Sequence, residues 1–146
     1  MSEPLTFSFE GTPVSKGRPR TRVIPASRVR PAFAHIYTDE KTQRFERQLA
    51  RVAALAMRGR DIFEGPISVS MRFRFEPPKS ATKRDRAAML AGDIPYSGSK
   101  DLDNLGKAAS DALNGVVWRD DVQIIRLFLT KAVSTNAGID FRIAEL

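Results

Sequence analysis

The sequence predicts a single domain of the mixed α/β (α+β) class, in which one mixed β-sheet carries helices packed mainly on one face. Three observations lead to this prediction. Several short segments alternate apolar and polar residues, as half-buried strands do, and others repeat apolar residues at helical spacing. A chain of 146 residues can also bury a core large enough to fold without disulfides. The predicted element order over residues 1–146 is β-α-β-α-α-β-β.

The first part of the chain is predicted to contain a strand, a long basic arm and a helix. Apolar and polar residues alternate over residues 5–10, which predicts the strand. Residues 11–37 have no clear period and contain many Gly and Pro residues, so we expect a basic N-terminal loop or arm there. Thr38 can cap a helix that ends near Gly59. The apolar stripe of this helix consists of Phe45, Leu49, Val52 and Ala56.

The remaining predicted elements are two helices and three strands. Residues 67–75 alternate strictly and predict the clearest strand, which a Pro-Pro pair ends. A short helix is predicted over residues 80–90, and a helix with one apolar and one polar face over residues 103–114. The last two strands are predicted over residues 122–132 and 139–144.

The composition excludes several classes of functional site. The chain has no cysteine, which rules out disulfide scaffolds, thiolate zinc sites, iron–sulfur clusters and cysteine nucleophiles. It has one histidine, His35, which rules out two-histidine metal sites. No apolar run reaches the roughly 18 residues that cross a bilayer, and the first residues do not form a signal peptide. We therefore expect a soluble, cytoplasmic protein without a membrane partner.

The net charge of +7 lies entirely in the first 60 residues, which hold 12 basic and 5 acidic residues, whereas the rest of the chain holds 12 of each. This localisation favours nucleic acid as the partner over a merely solvated basic surface. The arm residues predicted to bind DNA are Lys16, Arg18, Arg20, Arg22, Arg28 and Arg30. Four arginines of the first helix form either a solvated face or a further DNA contact. These are Arg44, Arg47, Arg51 and Arg58.

An acidic segment in the second half of the chain contains the candidate metal ligands. Asp101 and Asp103 would project to the same side if they lay in an extended segment, which would bring two carboxylates to one point. Such a pair repels unless a cation lies between them, and hard oxygen ligands suit Mg²⁺ or Mn²⁺. Lys107, one helical turn after Asp103, can neutralise the pair or contact a phosphate. The ordinary alternative makes Asp103 a helix cap and Lys107 with Asp111 a solvated ion pair.

A third acid comes from the segment Trp118-Arg119-Asp120-Asp121, where the chain enters a predicted strand. Adjacent residues of a strand point to opposite faces, so only one of Asp120 and Asp121 can face the other two carboxylates. The spacing does not decide between them. Trp118 follows two valines, and we expect it to lie in the core rather than to stack on a base.

Together these residues form a motif that resembles a known family. The segment DLDNLGKAASDALNG, followed by VVWRDDVQI, resembles the core signature of the RusA family of Holliday junction resolvases. The family pattern is approximately D-x-D-N-x-x-K-x-x-x-D-x-L, then a short strand and D-D-x-Q-[IV], and it matches over residues 101–124. Residues 11–20 also resemble the start of phage-type members. Lys100 departs from the pattern, because many members have proline there, and we expect this lysine to touch the DNA backbone.

The resemblance implies a RusA-like fold and a Mg²⁺-dependent homodimer that cuts four-way DNA junctions by paired, symmetric nicks in DNA recombination and repair. It implies no small-molecule cofactor beyond the metal, for which Mn²⁺ can substitute. It also implies a bacterial or phage-encoded protein that acts at the nucleoid in the cytoplasm. The residues carried over are the metal-binding carboxylates Asp101, Asp103 and Asp121 and the essential lysine Lys107. Asn104 and Asp120 are expected to orient these ligands from outside the coordination shell of the metal.

Two other functions stay open on the sequence alone. One is a RusA-like binder of DNA junctions that has lost activity, although the complete acid set and Lys107 count against it. The other is a metal-dependent nuclease that acts on other branched DNA, such as a flap. Metal-dependent nicking tests the first alternative, and a comparison of a four-way junction, a flap and a linear duplex tests the second.

Overall fold

A four-stranded mixed sheet with two helices on one face forms the body of the protein, and a two-stranded hairpin forms a separate sheet. The computed structural model describes residues 3–17 and 20–146, with Arg20 described by its backbone alone. In chain order the elements are β1 (Leu5–Glu10), β2 (Arg20–Ile24), β3 (Phe33–Tyr37), α1 (Glu40–Ala56), β4 (Ile67–Phe75), α2 (Lys83–Leu90), α3 (Leu102–Leu113), β5 (Ile124–Val133) and β6 (Gly138–Glu145). A 3₁₀ turn, Asp121–Gln123, precedes β5.

The sheet has the strand order β1-β6-β4-β5, in which β4 and β5 are parallel and the other two pairs are antiparallel. The alternation predicted for β4 is confirmed, because its apolar side chains from Ile67 to Phe75 are buried and the polar residues between them are not. β6 adds Ile139, Phe141 and Ile143 to the same buried face. The other face carries mainly polar and charged side chains, so the core lies on one side of the sheet.

Helices α1 and α3 cover the apolar face and pack against each other. Leu49 of α1 and Leu105 and Leu113 of α3 are fully buried between helix and sheet. Trp118 is the largest of the fully buried side chains, as expected for a core residue. The predicted fold class, a mixed sheet with helices mainly on one face, is therefore confirmed. Within the described ranges, no helix has both the length and the apolar character needed to cross a membrane.

Side-chain caps set the starts of the helices, and two of them differ from the prediction. Asp39, not Thr38, caps α1, because its Oδ1 accepts a hydrogen bond from the backbone N–H of Thr42 at 2.8 Å. Asp101 caps α3 by accepting from the N–H of Asp103 at 2.8 Å. The hypothesis of an extended segment at these two residues is therefore wrong, because Asp103 already lies in the first helical turn. The alternative in which Asp103 is the cap is wrong for the same reason.

Two further boundaries move because of local capping. α2 begins at Lys83 rather than at residue 80, because the Thr82 side chain accepts from the N–H of Asp85. β5 begins at Ile124 rather than at residue 122, because Asp120 caps the 3₁₀ turn that precedes it. The chain thus reaches the edge strand through a turn, and the strand geometry expected at Asp120 does not apply.

The basic arm contains regular structure that the sequence analysis did not predict. Strands β2 and β3 pair antiparallel over five residues each, with Arg20 opposite Tyr37 and Ile24 opposite Phe33. Every residue of β3 is exposed, and so are most described side chains of β2. A strand with solvent on both faces has no reason to alternate apolar and polar residues. The prediction of an irregular arm over residues 11–37 is corrected on this ground.

Candidate active site

A groove of about 410 Å³ runs between α3 and β5 and collects three of the four predicted catalytic side chains. Asp103 and Lys107 enter it from α3, and Asp121 enters it from the 3₁₀ turn. Its other lining residues are Gly106 and Ser110 of α3 and Ile124, Ile125, Leu127 and Leu129 of β5. The structure therefore brings two carboxylates and one ammonium to one surface depression, beside the apolar edge of the sheet.

The helix that carries Asp103 and Lys107 lies unusually close to the sheet at Gly106. Gly106 and Lys107 lie three and four positions after Asp103, and Ser110 lies three positions after Lys107, so the four residues share one face of α3. An added Cβ at Gly106 would stand 2.6 Å from the Cδ1 of Leu129 on β5. The missing side chain at Gly106 thus lets α3 pack directly on β5, and this packing defines the floor of the groove.

The Asp121 carboxylate is held by a buried partner. Its Oδ1 accepts a hydrogen bond from the indole N–H of Trp118 at 2.8 Å, and Trp118 is fully buried. Since the indole ring is fixed by the core, it fixes one oxygen of the carboxylate in turn. Of the two adjacent acids, Asp121 lines the groove, whereas Asp120 caps the turn, and the role of Asp121 as a metal ligand stays a prediction.

Gln123 locks the turn that presents Asp121. Its Oε1 accepts from the backbone N–H groups of Arg119 and Asp120, at 2.8 and 2.9 Å. Its Nε2 donates to the carbonyl oxygens of Phe63 and Gly65, both at 2.9 Å. All four hydrogen-bonding directions of one amide are used, so the turn is tied to the chain segment that precedes β4. This role of Gln123 was not predicted from the sequence, although the glutamine is a fixed position of the motif over residues 101–124.

Asp101 lies at the entrance to α3 rather than among the residues that line the groove. Its carboxylate is exposed and accepts the N–H of Asp103. Among the residues that the structure describes, no group of three or more His, Asp or Glu side chains lies close enough to hold a metal ion. The predicted convergence of Asp101, Asp103 and Asp121 is therefore not assembled here, and metal binding by these residues stays a prediction.

The chemistry of the donors nevertheless fits a hard divalent cation. None of the three carboxylates forms a salt bridge with a Lys, Arg or His side chain in the described part of the chain. Mg²⁺ usually binds through one or two carboxylates, several waters and a substrate phosphate. The open groove with Asp103 and Asp121 provides such a partial set of ligands.

Lys107 remains available to a ligand. Its side chain is 64% exposed, and its Nζ lies 3.5 Å from the Oδ1 of Asp111, one turn further along α3. An exposed pair at this separation contributes little, and a phosphate can displace it readily. Asp111 also forms a shorter ion pair with Lys16, so its charge is neutralised without Lys107.

Lys16 is engaged inside the protein. Its Nζ lies 2.8 Å from the Oε1 of Glu46 on α1 and 3.0 Å from the Oδ2 of Asp111 on α3. Partial burial by itself lowers the pKa of this ammonium, but the hydrogen bonds to the two carboxylates outweigh it and hold the pKa above its ordinary value. The backbone N–H of Lys16 donates to the carbonyl oxygen of Asn104 at 2.9 Å. The lysine thus joins the arm to both helices, and its contact with DNA stays a prediction.

Lys100 is likewise folded onto the protein. Its Nζ donates to the carbonyl oxygen of Pro13 at 2.5 Å and lies 5.6 Å from the centre of the Phe75 ring. Partial burial lowers the pKa of this ammonium, and the nearby charge of Lys41 lowers it further. Lys100 thus binds the start of the arm to the body of the protein. Its contact with the DNA backbone stays a prediction.

The remaining predicted DNA contacts lie on or near the hairpin. Arg22, Arg28 and Arg30 are exposed. Arg18 lies outside the described residues, and the side chain of Arg20 is not described. Asn104 is exposed at the start of α3, where its carbonyl oxygen accepts from Lys16, and its side chain lines no part of the groove. The four arginines of the α1 face are also exposed, which both interpretations of that face require.

Comparison with known proteins matches nearly the whole chain. A family model described as Endodeoxyribonuclease RusA matches residues 10–144, a span that includes the groove and the hairpin. The chain is also similar to a protein of Bacillus subtilis (strain 168) named "Uncharacterized protein YqaN". The two are 28% identical over 144 residues, which cover 97% of this chain and 96% of that relative.

Proposed function

Because the chain belongs to the RusA family of endodeoxyribonucleases, we propose that this endonuclease resolves four-way Holliday junctions by paired, symmetric hydrolysis of phosphodiester bonds in DNA recombination and repair. One observation carries the proposal: Asp103, Asp121 and Lys107 line a single open groove. Carboxylates that hold a metal and a lysine that meets a phosphate are the groups that such hydrolysis needs. Action on cellular or phage DNA implies a protein of the cytoplasm.

The carboxylates would hold Mg²⁺, or Mn²⁺ in its place, at the groove. A bound divalent cation supplies Lewis-acid stabilisation of the negative charge that develops on the scissile phosphate. Asp103 from α3 and Asp121 from the 3₁₀ turn would contribute oxygens to the ion, and Asp101, which caps α3 outside the groove, would complete the set. The Trp118 hydrogen bond keeps one oxygen of Asp121 occupied and so directs the other one.

Lys107 would bind the phosphate itself. Its ammonium lies on the groove side of α3, and among the described residues it is held only by the long contact with Asp111. Moving from that carboxylate to a phosphate oxygen costs little, and the charge then stabilises the transition state more than the ground state. Substitution of Lys107 by methionine should therefore lower the cleavage rate more than it weakens junction binding.

The homodimer in this proposal is supported by the edge of the sheet. β5 is an edge strand, and no backbone hydrogen bond joins it to a further strand within the described residues. It exposes Ile125, Leu127 and Phe128, and an exposed apolar edge of this kind invites pairing with another strand. We infer that two copies pair β5 with β5 about a twofold axis. An axis perpendicular to the joined sheet puts both grooves on the same face, as two symmetric nicks require.

The dimer can be tested without any cleavage assay. Leu127→Lys should convert the protein to a monomer in light scattering, because it puts a charge into the apolar edge. Leu55→Lys, a matched substitution at an exposed leucine of α1, should leave the mass unchanged. A wild-type protein that is monomeric at its working concentration would contradict the inference.

The cleavage itself is tested on an end-labelled four-way junction in Mg²⁺. Asp103→Asn and EDTA should each abolish the nicks while junction binding persists, and the exposed Asp93→Asn serves as the matched control. Full cleavage by Asp103→Asn would contradict the proposed site. Tight binding without nicks would identify a DNA-junction binder, and equal cleavage of a flap would identify a nuclease of other branched DNA.

A further inference from the structure

The hairpin formed by β2 and β3 has two chemically different faces. Directly opposed residues of an antiparallel pair lie on the same face, and Arg22 is opposite His35 while Ile24 is opposite Phe33. Tyr37 belongs to the same face, since it is two residues from His35. The other face is apolar and has no aromatic ring; its residues are Thr21, Val23, Ala34 and Ile36. We call the face with Arg22, Ile24, Phe33, His35 and Tyr37 the aromatic face.

The rings of the aromatic face are exposed and ordered against one another. His35 and Tyr37 are stacked, with ring centroids 5.8 Å apart and planes inclined by 14°. The guanidinium of Arg30 lies 5.4 Å from the centre of the Phe33 ring. Phe33 and Tyr37 are 39% and 38% exposed, which is far more than aromatic residues of a core. The face thus combines flat apolar surfaces with flanking positive charge.

The base of the hairpin is fixed beside the first turn of α3. Lys16 donates from its backbone to Asn104, the residue after Asp103, and its side chain reaches Asp111. At the next residue, Gly17, the backbone N–H points to the hydroxyl of Thr42, at 3.4 Å. An added Cβ at Gly17 would collide with the Asp39 carboxylate, so the chain passes close to the cap of α1. The segment before β2 therefore contacts the start of α3, at the residue after Asp103, and the cap of α1, which follows β3 in the chain.

Nucleobases are the ligand that matches this combination. Proteins that bind unpaired nucleic acid place aromatic rings against base faces and cations against the backbone. Paired bases inside a duplex offer no free face, whereas bases at the crossover of a branched substrate unstack readily. We propose that the aromatic face of the hairpin stacks on unpaired bases at the branch point, with Tyr37 and His35 as the stacking rings and Arg22 against the phosphate. This inference rests on branched DNA being the substrate, and it adds the feature by which a branch is distinguished from a duplex.

The test compares the two faces of the hairpin in binding titrations followed by fluorescence anisotropy, without divalent metal. Tyr37→Ala should weaken binding to a four-way junction at least about fivefold, the loss expected for one stacked base. Affinity for a linear duplex should not change. Ile36→Ala, its neighbour on the opposite face, should bind both substrates as the wild type does. The slope of affinity against salt should stay constant in Tyr37→Ala and become shallower by about one in Arg22→Gln.

The outcomes separate this inference from the proposed function. Wild-type affinity for the junction in Tyr37→Ala, or an equal loss in Ile36→Ala, would overturn the stacking inference and leave the nuclease untouched. A wild-type protein that binds a junction no better than a duplex would count against the proposed function instead. In that case a single-stranded oligonucleotide still tests stacking, since it presents unpaired bases directly. A change of oligomeric mass in Tyr37→Ala would show that the face binds a second copy rather than DNA, and would also overturn the inference.

Discussion

The hydrogen bond between Trp118 and Asp121 joins the core to the candidate active site, and Trp118→Phe removes it with the least change of shape. The substitution removes one polar group, the indole N–H. The Asp121 Oδ1, which accepts this hydrogen bond at 2.8 Å, is retained. Two contributions to the free energy of unfolding disappear together. One is the hydrogen bond to a charged acceptor, and the other is part of the buried apolar surface.

Both contributions have known magnitudes. A hydrogen bond to a charged group stabilises a protein by about 1.5–3 kcal/mol, and the lower figure applies here because Asp121 is half-buried and regains water. The smaller ring removes about 40 Å² of buried apolar surface, which corresponds to about 1 kcal/mol. We therefore expect Trp118→Phe to lower the free energy of unfolding by about 2.5 kcal/mol and the melting temperature by roughly 5–10 °C.

A double-mutant cycle isolates the hydrogen bond from the change of packing. Urea unfolding of Trp118→Phe, Asp121→Ala and the double variant should give a coupling energy of about 1–1.5 kcal/mol. In cleavage assays, Trp118→Phe should also raise the Mg²⁺ concentration needed for half-maximal rate by about tenfold, because Asp121, the proposed metal ligand, loses its positioning partner. Single-variant effects that add to within about 0.5 kcal/mol would refute the energetic link. An unchanged Mg²⁺ requirement would show that Trp118 serves the core alone.

Three further predictions concern other parts of the fold. Lys16→Met should lower the free energy of unfolding by about 2 kcal/mol, since it leaves Glu46 without its cation and Asp111 with only the long contact to Lys107 among the described residues. The pKa of Lys16 is raised on folding, so its stabilising contribution is complete below about pH 10.5 and is lost as the pH rises through the folded pKa. The difference in unfolding free energy between wild type and Lys16→Met should therefore shrink at the most alkaline pH values. Gly138→Ala should lower the free energy of unfolding by about 1–3 kcal/mol in thermal melts, because the added Cβ would stand 2.5 Å from the carbonyl oxygen of Phe9. The matched control is Gly65→Ala, whose Cβ would meet no atom within 4 Å and which should leave the melting temperature unchanged. Each exposed arginine of the hairpin should be replaced by glutamine, one at a time. The slope of log affinity against log salt concentration should become shallower by about 0.9 for each DNA phosphate that the variant no longer neutralises. An unchanged slope would show that the replaced arginine does not contact the DNA backbone.

The elements that bury one face were predicted well from the sequence. β4 has the predicted bounds, because every second side chain from Ile67 to Phe75 enters the core and the alternation is therefore complete. α3 differs from its prediction by one residue at each end, since its two-sided pattern is equally clear. The hairpin was not predicted, because both of its faces are exposed and its sequence therefore does not need to alternate apolar and polar residues.

Three of the four residues that the motif names for the candidate site line one groove, whereas Asp101 does not, and their roles stay predictions. Asp103, Asp121 and Lys107 were all named from the motif, and the groove contains them. The choice between Asp120 and Asp121 could not be made from spacing, because it depends on a 3₁₀ turn whose capping residues were assigned to a strand. The partners of Lys16 could not be predicted either. They lie on two helices far along the chain, and only the packing of α1 on α3 brings them together.

The position of β6 has a consequence for how the protein is made. This strand follows all the others in the sequence, yet it lies inside the sheet and pairs with β1 on one side and β4 on the other. The pairing of Leu5 with Ile143 joins segments that are separated by nearly the whole chain. Contacts of such long range form slowly, because a large loop must close first. A ribosome-bound chain therefore holds β1 without its strand partner until Glu145 has emerged, and the sheet cannot be completed before β6 is available.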